Sequence, residues 1–337
     1  MEVFLTVFFL FISGTEISKI PGLSAAGANP DVIPFTSPAD ADVVRFGFPK
    51  AIDCFPLDPQ GHPTPAIITR AAVIEAGIPV SVVRCGSYLP PAPPYVETGA
   101  EFGRDPRFEK AVPDAREIFE NSKFLSGNMD PSFKTVMIAE SIPGGTTTAL
   151  MVLRAIGIKG MVSSGGRDNP IELKEDIWSG ASKRLGIKEG AFADDPLRAV
   201  EELGDPMQAS VLGFSLGLDK RTEIVLAGGT QMAAIAALMT KLDHNRKPVI
   251  ATTKYVAEDK SSSFLEIADF LGLETYVAKL DFSKSPHKGL SDYEAGYVKE
   301  GVGAGGSVLY AERLGVSVSS IIDKTNELYS GILKQGS

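Results

Sequence analysis

Two carboxylates and four glycine-rich turns carry the chemistry available to this chain. Glu140 closes the apolar run TVMIA (135–139) and is followed at once by Gly144-Gly145-Thr146-Thr147. Glu300 stands in the late segment KEGVGAGG, beside Gly301 and Gly303. Two further pairs, Gly165-Gly166 in VSSGGRDNP and Gly228-Gly229 in VLAGGTQMA, complete the set. Glycine permits positive φ and close backbone approach. A strand–Gly-Gly–helix junction therefore aims free N–H groups and the positive end of a helix dipole at an anion. Each pair is also readable as a tight turn with a threonine cap, but four at expected strand ends favour an anion site. A carboxylate beside such a turn suits the cationic or proton-bearing end of a substrate rather than its anionic end. Lys174, on the helix after Gly165-Gly166, is within reach of a phosphate, although an exposed helix lysine is the commoner outcome.

The turn after Glu140 lacks the Gly-Lys-Ser/Thr ending of a P-loop, which argues against a nucleoside triphosphate. It also lacks the adjacent acidic pair that grips a metal-bound pyrophosphate donor. Neither phosphate chemistry fits. Only three histidines are present, His62, His244 and His287, scattered singly, and only two cysteines, Cys54 and Cys85. That composition disfavours a zinc tetrad, a histidine-based metal site and a Ser-His triad, and leaves carboxylates to do the chemistry. The formal net charge of −9 argues against nucleic acid or an anionic membrane as partner. It does not argue against a small anionic substrate.

The elements that must position these residues follow from hydropathy. The opening MEVFLTVFFLFISGTEISKIPG has the apolar run of a signal peptide but no preceding Lys or Arg and no close small-x-small site, so it reads as a buried strand ending at Ser13-Gly14-Thr15. The protein is accordingly expected in the cytoplasm. Further strands are expected at 78–84, 135–139, 222–227 and 247–252. Helices are expected at 65–76, 147–156, 195–203, 230–242, 263–271 and 308–314. Continuous apolar strands alternating with amphipathic helices indicate an α/β fold, a doubly wound, mostly parallel, Rossmann-like sheet. Residues 195–217 read as an αα-hairpin about Gly204-Asp205-Pro206, and two long segments, 87–108 and 281–307, interrupt the rhythm. The expected organisation is a large α/β domain over 1–280. Residues 281–337 join N-terminal segments in a smaller helical subdomain.

The order of these motifs resembles the nicotinate-nucleotide:dimethylbenzimidazole phosphoribosyltransferases of cobamide lower-ligand assembly. AESIPGGTTT, GGRDNPIELK, DPLRAVEELGDPMQASVLG, EIVLAGGTQMAAIAAL and KEGVGAGG occur in the family's sequence, over roughly 135–315, and the whole looks like a divergent archaeal branch. The resemblance implies that phosphoribose moves from nicotinate mononucleotide to a benzimidazole-type base, releasing nicotinate, with neither metal nor other cofactor. It implies Glu300 as general base and Glu140 as support for the ribose or its developing charge. The 5′-phosphate would fall to Gly144, Gly145, Thr146, Thr147, Gly165, Gly166, Lys174, Gly228 and Gly229, with Gly301 and Gly303 also among the substrate-binding residues. It also implies a cytoplasmic homodimer. Departures from the pattern, such as Gly145 for the family's Asn and Asn169 for its second Asp, leave the acceptor base open. A nucleosidase, a transferase for another base, and a non-catalytic nucleotide-binding protein are the alternatives.

Overall fold

A computed structural model describes residues 6–335. Seven strands form one sheet: β1 (Thr6–Ile12), β2 (Val80–Arg84), β3 (Val96–Glu97), β4 (Thr135–Ser141), β5 (Glu223–Ala227), β6 (Val249–Thr253) and β7 (Thr275–Ala278). Every pairing is parallel, in the order β3-β2-β1-β4-β5-β6-β7. The chain thus builds outward from β1 in one direction, returns, and builds outward from β4 in the other. This is the doubly wound α/β arrangement that the alternation of apolar strands and helices predicts.

β1 shows why the apolar run from Thr6 to Ile12 is a strand. All seven of its described residues are buried. Phe8, Leu10 and Ile12 face one layer of helices, while Val7, Phe9 and Phe11 face the other. Phe9 and Phe11 both pack on Phe214, with ring centroids 4.8 and 5.2 Å away. A strand covered on both faces has no reason to alternate with polar residues. Residues 1–5 of the opening run lie outside the described residues.

The helices are α1 (Thr36–Phe46), α2 (Ala66–Ala76), α3 (Ala115–Gly127), α4 (Gly145–Ala155), α5 (Ile171–Leu185), α6 (Pro196–Leu203), α7 (Pro206–Gly217), α8 (Thr230–Leu242), α9 (Lys254–Ala257), α10 (Phe264–Phe270), α11 (Lys288–Ser291), α12 (Ala304–Arg313) and α13 (Val318–Gln335). Helices α3 to α8 and α10 share the core on one face. Helices α1, α2 and α12 cover the other, and α13 joins α2 and α12 in an adjoining cluster with Phe282, Leu290 and Tyr293. The hairpin at Gly204 is present, with Asp195 and Asp205 capping α6 and α7 through Arg198 N and Gln208 N.

The 87–108 excursion is a wrap rather than a free flap. It contributes the two-residue edge strand β3, and its Ala92 N donates to Asp42 at 2.9 Å. Arg45 Nη1 donates to the carbonyls of Ala92 and Pro94. Two of the four glycine turns, those after β4 and β5, do sit at strand ends. The other two do not: Gly165-Gly166 lies in irregular chain between α4 and α5, and Gly301–Gly306 follows a loop and enters α12. No strand fits at 158–164 because that segment runs past the carboxyl edge of the sheet to line the site.

Candidate active site

Beyond the carboxyl ends of β1 and β4, where the strand order reverses, a cleft opens. Loops diverge at such a switch point, and open parallel sheets bind ligands there. Of the residues singled out in the sequence, Glu140, Gly144, Gly145, Thr146, Gly165, Gly229, Glu300 and Gly301 line the cleft.

Part of the cleft lining is backbone. Gly144 (φ 84°) caps the start of α4 and Gly229 that of α8, and neither helix start is capped by a side chain. Threonine-capped turns, the competing reading of these motifs, are therefore not what forms. The first N–H groups of a helix have no partner within it, and two such starts facing one cleft offer donors and positive dipole ends to an anion. Gly144 cannot carry a side chain: its φ is left-handed, and a Cβ would stand 3.0 Å from Thr15 Cγ2 and 3.2 Å from Ser18 Cβ.

The lining is also acidic. Burial is the main force on each of its carboxylates, because the charged form loses its hydration. It pushes Glu140 up to about 8, helped by the nearby charges of Glu300, Asp205 and Asp40. It pushes Glu300 up to about 7, against the pull of backbone N–H donors. Gly301 N and Gly305 N donate to Glu300 Oε1 at 3.1 and 3.4 Å, while Oε2 is buried without a partner. One oxygen is thus anchored at the start of α12 and the other is left for a ligand.

The loop carrying Glu300 is held from several sides. Val302 N donates to Glu140 O (2.9 Å), Thr69 Oγ1 to Val302 O (2.9 Å) and Thr253 Oγ1 to Lys299 O (2.5 Å). Lys299 Nζ pairs with Asp259 at 2.8 Å. These contacts stabilise a backbone that is itself costly. Val298 and Val302 have φ of 53° and 57°, a region that disfavours β-branched residues by about 1–3 kcal/mol each. Gly303 lets the loop lie on the sheet, since a Cβ there would meet Ala139 Cβ at 2.5 Å and Phe8 Cζ at 2.9 Å.

Lys174 is not a lining residue. It is fully buried, and its Nζ donates at 2.7 Å both to Ser163 O and to Asn169 Oδ1. Burial pulls its pKa down to about 7, with Lys299 adding to the effect. The expected direct phosphate ligand is instead a brace beneath the 163–169 loop, because α5 presents it inward rather than toward the cleft. Thr147, Gly166, Gly228 and Gly303 likewise lie behind the lining; a Cβ on Gly228 would stand 3.5 Å from Glu140 Oε1.

Two features escaped sequence reading. Asp40, on α1, is a third buried carboxylate in the cleft wall. His62, also in the wall, sits between Asp58 (Nδ1 to Oδ2, 2.7 Å) and Asp292 (Nε2 to Oδ2, 3.0 Å) and stacks on Tyr297 at 4.3 Å. The partners of His62 are four and 230 residues away, so only the nearer one left any trace in the sequence. Among the described residues no group of His, Cys, Asp and Glu is arranged to hold a metal ion, and no helix is long and apolar enough to cross a membrane.

Solved structures share this overall fold. The nicotinate-nucleotide–dimethylbenzimidazole phosphoribosyltransferase of Thermus thermophilus superposes with a TM-score of 0.59 at 14% identity, covering 96% of this chain and 82% of that one. A structure of CobT from the same organism gives 0.61 at 13%, covering 94% and 84%. The fold is that of these enzymes, as the order of motifs predicts. In sequence the chain is 46% identical to a UPF0284 protein of Pyrococcus furiosus over 97% of its length and 99% of that protein's. It is 47% identical to one of Thermococcus gammatolerans (98% and 99%) and 41% to one of Saccharolobus solfataricus (97% and 93%). The chain belongs to the UPF0284 family of archaeal proteins. No family model matches it.

Proposed function

We propose that the protein is a phosphoribosyltransferase that moves the phosphoribosyl group of nicotinate mononucleotide to a benzimidazole-type base, giving the α-riboside 5′-phosphate and nicotinate. It acts in the cytoplasm as a homodimer. The observation that carries this reading is the polarity of the cleft. Two uncapped helix starts and the carboxylates of Glu140 and Glu300, both displaced toward neutral pH, line the same cleft.

The 5′-phosphate lies against Gly144–Thr146 and Gly229-Thr230, with Gly165 beside it, held by backbone donors. Lys174 acts there indirectly, by shaping the loop. Beside the carboxylates the base nitrogen attacks C1′. The bond from C1′ to the pyridinium nitrogen breaks with its electron pair going to nicotinate, which leaves without needing a proton. The proton released is the N–H of the attacking azole, and Glu300 Oε2 takes it. A base whose pKa lies near the working pH combines availability with driving force. Burial raises both glutamates toward neutral pH, and the charge of each opposes ionisation of the other, so the pair gives up its protons in separate steps. Glu140 stays protonated in the empty cleft. The pyridinium of the donor, and then the oxocarbenium-like sugar, favour its carboxylate form, which stabilises the developing charge.

Nicotinate release from nicotinate mononucleotide, followed with and without a panel of azole bases, tests this. Base-dependent release supports the transferase. Release of equal rate without base identifies a nucleosidase on the same site. Tight binding of the nucleotide with no release identifies a non-catalytic binding protein.

A further inference from the structure

Asp40 enters the cleft from α1, on the opposite layer of the sheet from α4 and α8, and is 4% exposed. Each of its oxygens already has one donor: Thr64 Oγ1 to Oδ1 at 2.7 Å, and Ser141 Oγ to Oδ2 at 2.7 Å. A carboxylate oxygen accepts two hydrogen bonds comfortably, so each keeps one acceptor position open. The two donors also fix the plane of the carboxylate. They hold it in the lining between Ser141, which leads into the glycine turn, and Thr64, which sits in the wall with Pro65, His62 and Leu57. The role assigned to Glu140 and Glu300 at the reacting carbon leaves this third carboxylate without a task.

A vicinal diol suits it. Two adjacent hydroxyls present two donors at a spacing that matches the two oxygens of one carboxylate, and acidic residues recognise ribose hydroxyls in other doubly wound folds. We propose that Asp40 is a substrate-contacting residue that accepts hydrogen bonds from the 2′- and 3′-hydroxyls of the bound ribose, making the site selective for ribo- over deoxyribonucleotides. The proposal rests on the nucleotide reading of the cleft but not on turnover. Thr64 and Ser141 act through Asp40 as positioning residues.

The test is calorimetric binding of nicotinate mononucleotide and of its 2′-deoxy analogue to the wild-type protein and to Asp40→Asn. The wild type should prefer the ribonucleotide by about 10–100-fold, the effect of removing a partner from a charged acceptor. In Asp40→Asn that ratio should fall to within a few-fold of one, with binding of the deoxy analogue little changed. Equal binding of the two nucleotides by the wild type would overturn the proposal without use of any variant, so a folding defect in Asp40→Asn cannot shield it. An unchanged ratio in a folded Asp40→Asn would overturn it as well, as would a variant that alters only the ranking of acceptor bases. If the wild type discriminates between the sugars but releases no nicotinate, the transferase reading fails while the assignment of Asp40 stands.

Discussion

Two parts of the cleft lining solve the same problem, a charged ligand in a dry crevice, by opposite means. One is neutral backbone: the glycine-capped starts of α4 and α8, while Lys174 is turned inward as a brace and Lys299, in the lining, is paired with Asp259. The other is a set of full carboxylates, and burial drives each of them upward: Glu140 to about 8, Glu300 to about 7, Asp40 to about 6. Backbone dipoles are fixed by the fold and tolerate an empty site. Buried carboxylates are not indifferent to it, because an unoccupied acidic cluster holds protons that a cationic or proton-donating ligand would displace. Binding and proton transfer are thereby assigned to different parts of the chain, and substitutions in the two parts should separate them.

The largest effect belongs to the carboxylates. Glu300→Gln keeps the shape and the contacts of Oε1 while removing the proton acceptor, so kcat should fall by about 10²–10⁴-fold. Calorimetric affinity for nicotinate mononucleotide should stay within a few-fold. A parallel loss of both would merge the two parts into one. In the wild type, kcat/KM should rise with pH through about 7, as Glu300 ionises.

The next effect is on stability. Glu140 has a folded pKa above its unfolded one, so its contribution is fully present below the ordinary carboxylate range. It is lost as pH rises through about 8. Glu140→Gln, which cannot ionise, should therefore gain on the wild type as pH is raised from 4.5 to 8.5, by about 4 kcal/mol across the range. Chemical denaturation at several pH values reads this directly, and a constant difference would show that Glu140 is not a proton-holding group.

In the backbone part, Gly144→Ala forces a side chain into the left-handed region against Thr15 and Ser18. It should cost about 1–2 kcal/mol of stability and raise KM about tenfold, with kcat nearly intact. Lys174→Met should have the smallest effect, a KM increase of about threefold consistent with a lost brace. A hundredfold increase would restore Lys174 to direct contact with the phosphate.

Legibility in the sequence followed the range of the interactions. The turns at Gly144 and Gly229 were readable because strand, glycines and helix are contiguous, and Glu140 was readable because it closes the strand. Glu300 was marked by its glycines. Asp40 was not, because TSPADADVVRF buries two aspartates whose partners, Thr64, Ser141, Lys50, Ala51 and Ala92, come from elsewhere in the chain. The inward turn of Lys174 was hidden for the same reason: IELKED has the composition of an exposed helix, and only the 163–169 loop makes a partner for the ammonium. Edge strand β3, two residues long inside a proline-rich stretch, gave no period to detect.

One part of this cleft lining binds a nucleotide while the other transfers its sugar to a base: that division is the central claim. The most direct measurement is mass-spectrometric analysis of the protein incubated with nicotinate mononucleotide and 5,6-dimethylbenzimidazole. Equal amounts of nicotinate and of the base's riboside 5′-phosphate are expected, neither formed by Glu300→Gln. Nicotinate accompanied by free ribose 5-phosphate, or no product from a protein that binds the nucleotide, would contradict it.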